Sequence, residues 1–548
     1  MAISTQRNTH LLANYKCILI CAAMALASCQ YGFDSAAIAG FQAMPGFLRV
    51  FGYYDPNLSP SLSSSSSHNK GGTGGWAIET RTQQLISSTL NIGTILGVCL
   101  TGLFARYFGR RPGIWTACVI SFSACGIQIG TTSVGALCVG RILLGTSNAF
   151  FFTFCNVYSV ESTPAHLRAV ISSLFSIWVS FGSLLGAIVN ETTAGMVESR
   201  LSYQIPLATL YAIPGTLCIL VLFVPESPRW LLVKNRVEKA EESLRRLRGE
   251  TLKEEFLVEE FVEMQKGIEE EKEVAAEGAA FWDMFRGSNL RRTIITLGVV
   301  VSHSSSGLWL FIAYSTYFFQ QAGIKDSFQM SILFQLAAIL GTAMGMYLMY
   351  KHMGRRSMML TGSVLSGLCM MGSALADTIK PKSVESSKAV AGFSIAYIFL
   401  SMGFSNGLSW PLSAEIPSSR LRVLTLSFAT GVNYFCAWLI SYCSPYFINP
   451  KSLNWGGRYC WIWAASNAIT FVFFYLMLPE IKGRSLEEID ELFHKGISVR
   501  DFPKYECESS TRAHEVAVHE VKGAERTRVE SSEGEKSPEV EPRSQREV

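Results

Sequence analysis

Arg106-Tyr107-Phe108-Gly109-Arg110-Arg111 and Lys351-His352-Met353-Gly354-Arg355-Arg356 are two writings of one basic box. Each copy follows a long apolar stretch, and another apolar stretch begins within a few residues, so both boxes belong in tight turns between buried helices. About fifty to sixty residues beyond each copy comes a glutamate with an arginine seven positions on: Glu161 with Arg168, then Glu415 with Arg422. The same marks in the same order in two halves read as a duplicated membrane unit, a common way to build secondary transporters.

Composition agrees with that reading. Of 548 residues, 49% are hydrophobic and 16% charged, too apolar and with apolar runs too long for a soluble enzyme of this size. The charges avoid the apolar runs and gather in the middle and at the end. A net charge of +4, with no basic stripe interleaved with aromatics, excludes a nucleic-acid surface. The implied partners are a lipid bilayer and a small-molecule solute. The 14 cysteines mostly fall inside apolar runs, where they act as small apolar residues and define no disulfide framework. The first apolar run, from Cys17 to about Phe41, is too long for the core of a cleaved signal peptide and reads as a retained anchor.

A bilayer core takes about 20 apolar residues per helix. On that ruler twelve runs appear, centred near Met24, Leu96, Ile120, Leu144, Trp178 and Leu217 in the first half and near Trp309, Ala338, Leu365, Phe399, Trp438 and Phe471 in the second. The fold expected is an all-α membrane protein, with twelve transmembrane helices in two related six-helix bundles and a cytoplasmic helical linker. Its divisions fall at 1–224, 225–291 for the linker, 292–480, and 481–548 for a largely disordered tail. The segment Gln42 to Arg81, with its serine run and glycine cluster, reads as a flexible hydrophilic loop.

Lysines and arginines near the span ends put both boxes, both glutamate/arginine loops, the charged middle and both termini on one side, which should be cytoplasmic. Asn57-Leu58-Ser59 and Asn190-Glu191-Thr192 then face outward as glycosylation acceptors, Asn57 and Asn190. In the middle, Val237, Ala240, Leu244 and Leu247 share one face of a charged helix that should lie under the bundle. A second helical pattern runs from Glu254 to Glu277, and Trp282, Met284 and Phe285 return to the membrane boundary.

Several motifs resemble the sugar porter branch of the major facilitator superfamily, over about Tyr31 to Phe493. The most specific are Pro225-Glu226-Ser227-Pro228-Arg229-Trp230-Leu231-Leu232 after the sixth helix and Pro479-Glu480-Ile481-Lys482-Gly483-Arg484-Ser485-Leu486-Glu487-Glu488-Ile489 after the twelfth. Gly140-Arg141 with Gly145, and Phe33-Asp34 with Gly40, add to the likeness. Tyr314-Ser315-Thr316-Tyr317-Phe318-Phe319 with Ala322-Gly323 is similar to the seventh helix of fungal disaccharide permeases. The resemblance implies a plasma-membrane carrier and a cytoplasmic gate built from Arg110, Arg111, Glu161, Arg168, Glu226, Arg229, Arg355, Arg356, Glu415, Arg422 and Glu480. The family's box begins with an acid where this chain has Arg106 and Lys351, so Glu161, Glu415 and the first carboxylates of the charged middle are left to hold the arginines. The competing reading is that these basic residues only enforce topology.

Asp34 lies mid-span, where an unpaired carboxylate is costly, so it must pair or take a proton. The resemblance supplies Arg141 as its partner and a proton-coupling role for the pair, against the alternative of a static packing bridge. It also implies substrate contacts at Trp410, whose ring would stack on a sugar, at Asn433 and at Tyr434. The family's other ligand positions are altered: its amides are replaced by Ser176, by His303 and Ser304, and by Trp309, with Ile339 in the eighth helix. Fewer amides and one more aromatic suit a disaccharide, a quinate-like polyol acid or a glycosylated metabolite better than a bare hexose. His303 reads as a substrate contact rather than a proton relay.

The leading expectation is a proton-coupled carrier of a sugar or sugar-like solute working by alternating access. A carrier of another solute, importing or exporting, and a sensor of the same fold are the alternatives. No glycine loop for a nucleotide and no metal-ligand spacing appear, so no cofactor, no metal and no enzymatic activity are expected.

Overall fold

The computed structural model describes residues 15–55, 75–163, 168–196, 199–248, 254–276, 281–324, 326–351, 353–381, 383–418, 420–482, 484 and 486–505. Among them, twelve helices are long and apolar enough to cross a membrane: Tyr15–Phe41, Thr80–Ala105, Arg110–Gly130, Val134–Ser162, Leu174–Ala194, Leu201–Phe223, Gly287–Gln321, Ser327–Met349, Arg355–Ile379, Val384–Glu415, Arg422–Ile448 and Gly456–Met477. We number these spans first to twelfth.

The two halves pack alike. In the first, span one lies on span five, two on four, three on four and three on six; in the second, seven lies on eleven, eight on ten, nine on ten and nine on twelve. The halves meet where two packs on eleven, five on eight and one on seven. This exchange of partners is what a twofold repeat requires.

The seventh span breaks at Gly307, whose φ of +90° and crowding by Trp463 and Met370 exclude a side chain. The tenth contains a π-helical turn, Met402–Asn406, followed by Pro411. Such turns widen the backbone and recur at functional sites.

Hydrogen bonds that tie the halves together lie on the side away from the boxes. Asn91 Nδ2 donates to Ser441 Oγ at 3.1 Å, Asn449 Nδ2 to Thr80 Oγ1 at 3.0 Å, and the hydroxyls of Thr80 and Ser452 are 2.9 Å apart. Lys451 pairs with Asp55 at 2.9 Å and lies 4.1 Å above the Tyr53 ring.

The segment expected as a flexible loop is folded at both ends. Pro45–Phe51 is a short helix whose Phe47 and Phe51 pack on Phe41 and Tyr203, and Tyr53–Tyr54 pairs antiparallel with Trp76–Ala77. The aromatic spacing makes this a small packed cap. Residues 56–74, including Asn57, lie outside the described residues.

The linker helix Val237–Arg248 buries Ala240, Leu244 and Leu247, but Val237 is exposed. Val237 is the first residue of the helix and overhangs its contact, whereas Arg248, about three turns on along the same face, is buried. Its guanidinium, 2% exposed, donates to the Ser162 carbonyl at 2.9 Å and grips Glu260 with two bonds of 2.9 and 2.6 Å. Glu260 belongs to the second linker helix, Glu254–Ala276, so this one residue fastens both linker helices to the end of the fourth span. Arg248→Ala should cost about 2–3 kcal/mol of local stability, the scale of hydrogen bonds to a charged group. Limited proteolysis of the linker should quicken about tenfold or more; an unchanged rate would show that the apolar face alone holds it. Met284 of the turn Phe281–Phe285 is buried as expected of a boundary residue, while Trp282 is exposed and Phe285 packs on Phe428 of the eleventh span.

Two compact units divide the chain, Met1–Leu478 and Pro479–Val548. The second begins with an ordered stretch in which Leu486–His494 is a helix. Arg484 secures it, donating to the carbonyls of Phe502 at 3.0 Å and Tyr505 at 2.7 Å, while Phe493 meets Phe502 edge-on. Long-range contacts of this kind leave no local pattern in sequence. Residues 506–548 lie outside the described residues.

Candidate functional site

The first and fourth spans cross where Asp34 and Arg141 meet. The Asp34 Oδ1 accepts from Arg141 Nη1 at 2.6 Å, and both side chains are fully buried. Asp34 Oδ2 and the Nε and Nη2 of Arg141 have no hydrogen-bond partner among the described residues. Breaking such a pair by neutralising one member strands the other charge, which makes a proton on Asp34 an event the helices must answer.

In the second half, four aromatic side chains converge from three spans. His303 stands 6.3 Å from Trp309 and 6.1 Å from Trp410, and Trp309 stands 6.1 Å from Tyr434, all at steep interplanar angles. The break at Gly307 lets His303 and Trp309, six residues apart, share this place. Trp410 is 41% exposed. The ring nitrogen Nδ1 of His303, the indole nitrogen of Trp309 and the Nδ2 of Asn433 are buried without a hydrogen-bond partner among the described residues. Unmet polar atoms beside a partly exposed aromatic ring are what a hydroxylated, partly apolar solute would satisfy.

Ser304 and Asn433 are placed differently from the rest. Ser304 Oγ donates to Asn433 Oδ1 at 2.6 Å and both residues are buried, so the pair bonds the seventh span to the eleventh and leaves only Asn433 Nδ2 unmet. Ser176 is exposed on the fifth span, its carbonyl accepting from Ser180. Sequence reasoning missed a neighbouring knot at the Gly307 break: Tyr397 and Asn467 donate to the Ser306 carbonyl at 3.0 and 3.1 Å, and Asn406 donates to Ser306 Oγ at 3.2 Å. The only signal for it was a cluster of small polar residues, Ser302 to Ser306, inside an apolar run.

At the boxes, Gly109 precedes the third span, and a Cβ there would lie 2.3 Å from Glu226 Oε2. Glycine thus lets the Glu226 carboxylate sit over the helix N-terminus, accepting from the backbone N–H of Arg110 at 3.0 Å and Arg111 at 3.2 Å, and from that of Ser227 at 3.0 Å. Burial pushes the Glu226 carboxyl above its ordinary range, against the pull of those N–H groups. Arg110 grips Glu161 with bonds of 2.9 and 2.6 Å, and Ser227 donates to the same carboxylate at 2.6 Å. In the second half Arg355 pairs with Glu415 at 3.3 Å. The repeat extends to the second arginine of each box: Arg111 donates to the Val221 carbonyl at 3.0 Å at the end of span six, and Arg356 to the Tyr475 carbonyl at 2.8 Å at the end of span twelve.

Arg229 is half-buried on the short helix Pro228–Val233, and Arg422 is half-buried at the start of the eleventh span. Glu480 accepts from the backbone of Ile481 and Lys482 within its own unit. The side chains of Arg106, Arg168 and Lys351 lie outside the described residues. Asn190 corrects the glycosylation expectation. It is 2% exposed, its Nδ2 donates to the Ala36 carbonyl at 2.7 Å, and a Cβ on Gly40 would fall 2.0 Å from that nitrogen. The acceptor atom is inside the contact of spans one and five, where no glycan fits.

Twelve spans in two like halves, a buried ion pair in one and an aromatic cluster with unmet polar atoms in the other, make the build of a major facilitator carrier, a multi-pass membrane protein. Residues 20–493 match the family described as sugar (and other) transporter, and the chain belongs to that family. Among curated relatives, the general alpha-glucoside permease of Saccharomyces cerevisiae is 27% identical over 86% of this chain and 74% of its own length. A major facilitator-type transporter of Aspergillus rugulosus is 27% identical over 92% of this chain and 94% of its own. The inward-open xylose transporter of E. coli has the same fold, with a TM-score of 0.68 at 21% identity over 87% of this chain and 99% of that one.

Proposed function

We propose that this carrier moves a sugar or sugar-like solute, an α-linked glucoside being the first candidate, by alternating access coupled to protons. The observation that carries the reading is the convergence of His303, Trp309, Trp410 and Tyr434, with Trp410 partly exposed and the ring nitrogens of His303 and Trp309 unmet among the described residues. An aromatic ring covers the apolar face of a pyranose while the polar atoms take its hydroxyls. Asp34 is the proton carrier: protonation releases Arg141 and frees the first and fourth spans to move. The halves rock about this centre, the far-side bonds of Thr80, Asn449 and Lys451 closing one face while the box-side carboxylates Glu161, Glu226 and Glu415 brace the helices within their own halves. The protein resides in the plasma membrane with both termini cytoplasmic, so the far side is outward. The relatives named as α-glucoside permeases support the substrate class, and the basic boxes support the orientation.

A second reading is favoured by the scarcity of amides: a bulkier, less polar metabolite would fill an aromatic cluster equally well. Uptake of labelled maltose, xylose, a polyol and an organic acid into transporter-free yeast, at two pH values with and without an uncoupler, separates the two. Maltose uptake that falls with the uncoupler is the expected result; uptake of the organic acid alone would overturn the sugar reading. Trp410→Ala should raise the half-saturating maltose concentration about tenfold, equivalent to about 1.4 kcal/mol of lost stacking. An unchanged value would remove Trp410 from the site.

A further inference from the structure

We infer that a cavity on the outward side, between the two halves, is a second binding site for a saccharide, and that its occupancy holds the outward face shut. The inference rests on the reading that the chain handles sugar-like solutes. The cavity has a volume of about 580 Å³, room for a disaccharide, and is separate from the aromatic cluster, none of whose four members lines it. Trp76 and Glu79, Arg81 and Gln84 come from the first half, Gln321 and Tyr446 from the second. Trp76 is half-buried with Tyr54 edge-on against it, and Tyr446 is exposed, so both rings keep area for a pyranose face. A carboxylate, a guanidinium and two carboxamides around them supply donors and acceptors for ring hydroxyls, the mixture a small-molecule site needs.

This cavity exists because the halves are joined around it. Its walls are tied by Thr80 to Ser452, by Asn449 to Thr80, and by Lys451 to Asp55 and Tyr53. Opening the outward face breaks those ties and pulls Trp76 from Tyr446. A ligand that fits only the closed arrangement stabilises it in proportion to its occupancy. External saccharide therefore acts in two ways, as cargo for the central cluster and, at higher concentration, as a brake on outward opening.

The test uses Ala77→Cys, a small change at the cavity wall, in the full-length carrier in yeast. Cells are labelled from outside with a membrane-impermeant maleimide, the unsubstituted carrier giving the background. External maltose at 100 mM should slow labelling at least threefold relative to equiosmolar betaine. Adding Trp76→Ala should abolish the slowing, and adding Trp410→Ala should leave it. No slowing, or a slowing that Trp410→Ala removes and Trp76→Ala does not, overturns the site. Labelled maltose uptake by the same Ala77→Cys cells reports on carriage separately. Uptake without protection removes the outer site and leaves the carrier; protection without uptake supports the outer site and removes maltose as cargo.

Discussion

An Asp34→Asn carrier is expected to equilibrate its solute across the membrane and to lose the power to concentrate it. The carboxylate is fully buried and hydrogen-bonds, at 2.6 Å, to an equally buried Arg141. An amide at this position cannot gain and lose a proton, so the pair has a single state and the gradient has nothing to drive. The substitution also strands the Arg141 charge, a cost of about 3–5 kcal/mol for a broken buried pair. Lost expression could then be mistaken for lost coupling. The double variant Asp34→Asn with Arg141→Leu separates these: two neutral side chains should recover folded protein but not accumulation. The measurement is the steady-state ratio of internal to external solute in energised vesicles, with and without an uncoupler. Accumulation above unity that persists in Asp34→Asn and collapses with the uncoupler would place the proton elsewhere.

The largest structural effect is expected from Gly93→Leu and Gly341→Leu. A Cβ at Gly93 would lie 2.1 Å from the carbonyl oxygen of Ile142, and one at Gly341 would lie 2.3 Å from that of Phe399. Four residues on, Gly97 and Gly345 are as tight, with contacts of 2.6 Å to Ala149 Cβ and 2.2 Å to the Gly403 carbonyl oxygen. Each half thus packs its second helix on its fourth through a Gly-x-x-x-Gly stripe. In lipid such close backbone approach is a main source of helix association, because no hydrophobic force distinguishes a neighbouring helix from an acyl chain. A leucine must push whole backbones apart, beyond the roughly 1–3 kcal/mol of ordinary overpacking. Monodisperse carrier recovered after detergent extraction should fall about tenfold or more. Gly102→Leu and Gly392→Leu, where a Cβ would meet nothing within 4 Å, should be recovered as the parent. Equal recovery of all four variants would refute the close-packed arrangement.

Much of this architecture was legible from residue order. The span count, the linker helices and the two boxes were read without a structure, as were the residues of the aromatic cluster, although only as substitutions for a family's amides. The Gly-x-x-x-Gly stripes were also present in the sequence, but a glycine pair in an apolar run acquires meaning only when a partner helix is known. The packed cap at Phe47 and Phe51 was obscured by its short length and by the serine and glycine runs that follow it in the same loop. Asn190 was misplaced because its triplet says nothing about burial.

What the sequence determined by itself is local: a continuous apolar run of about 20 residues becomes a helix, since only a helix satisfies a single segment's backbone from within, and charges at its ends choose the side on which it turns. What only the tertiary structure decided is lateral. That Glu161 meets Arg110 and Ser227, that Ser304 is spent on Asn433, and that Arg248 reaches the Ser162 carbonyl depend on which faces of neighbouring helices touch. A membrane helix is apolar toward lipid and toward protein alike, so hydropathy carries no record of that choice, and it is made by shape and a few polar contacts once the helices have met.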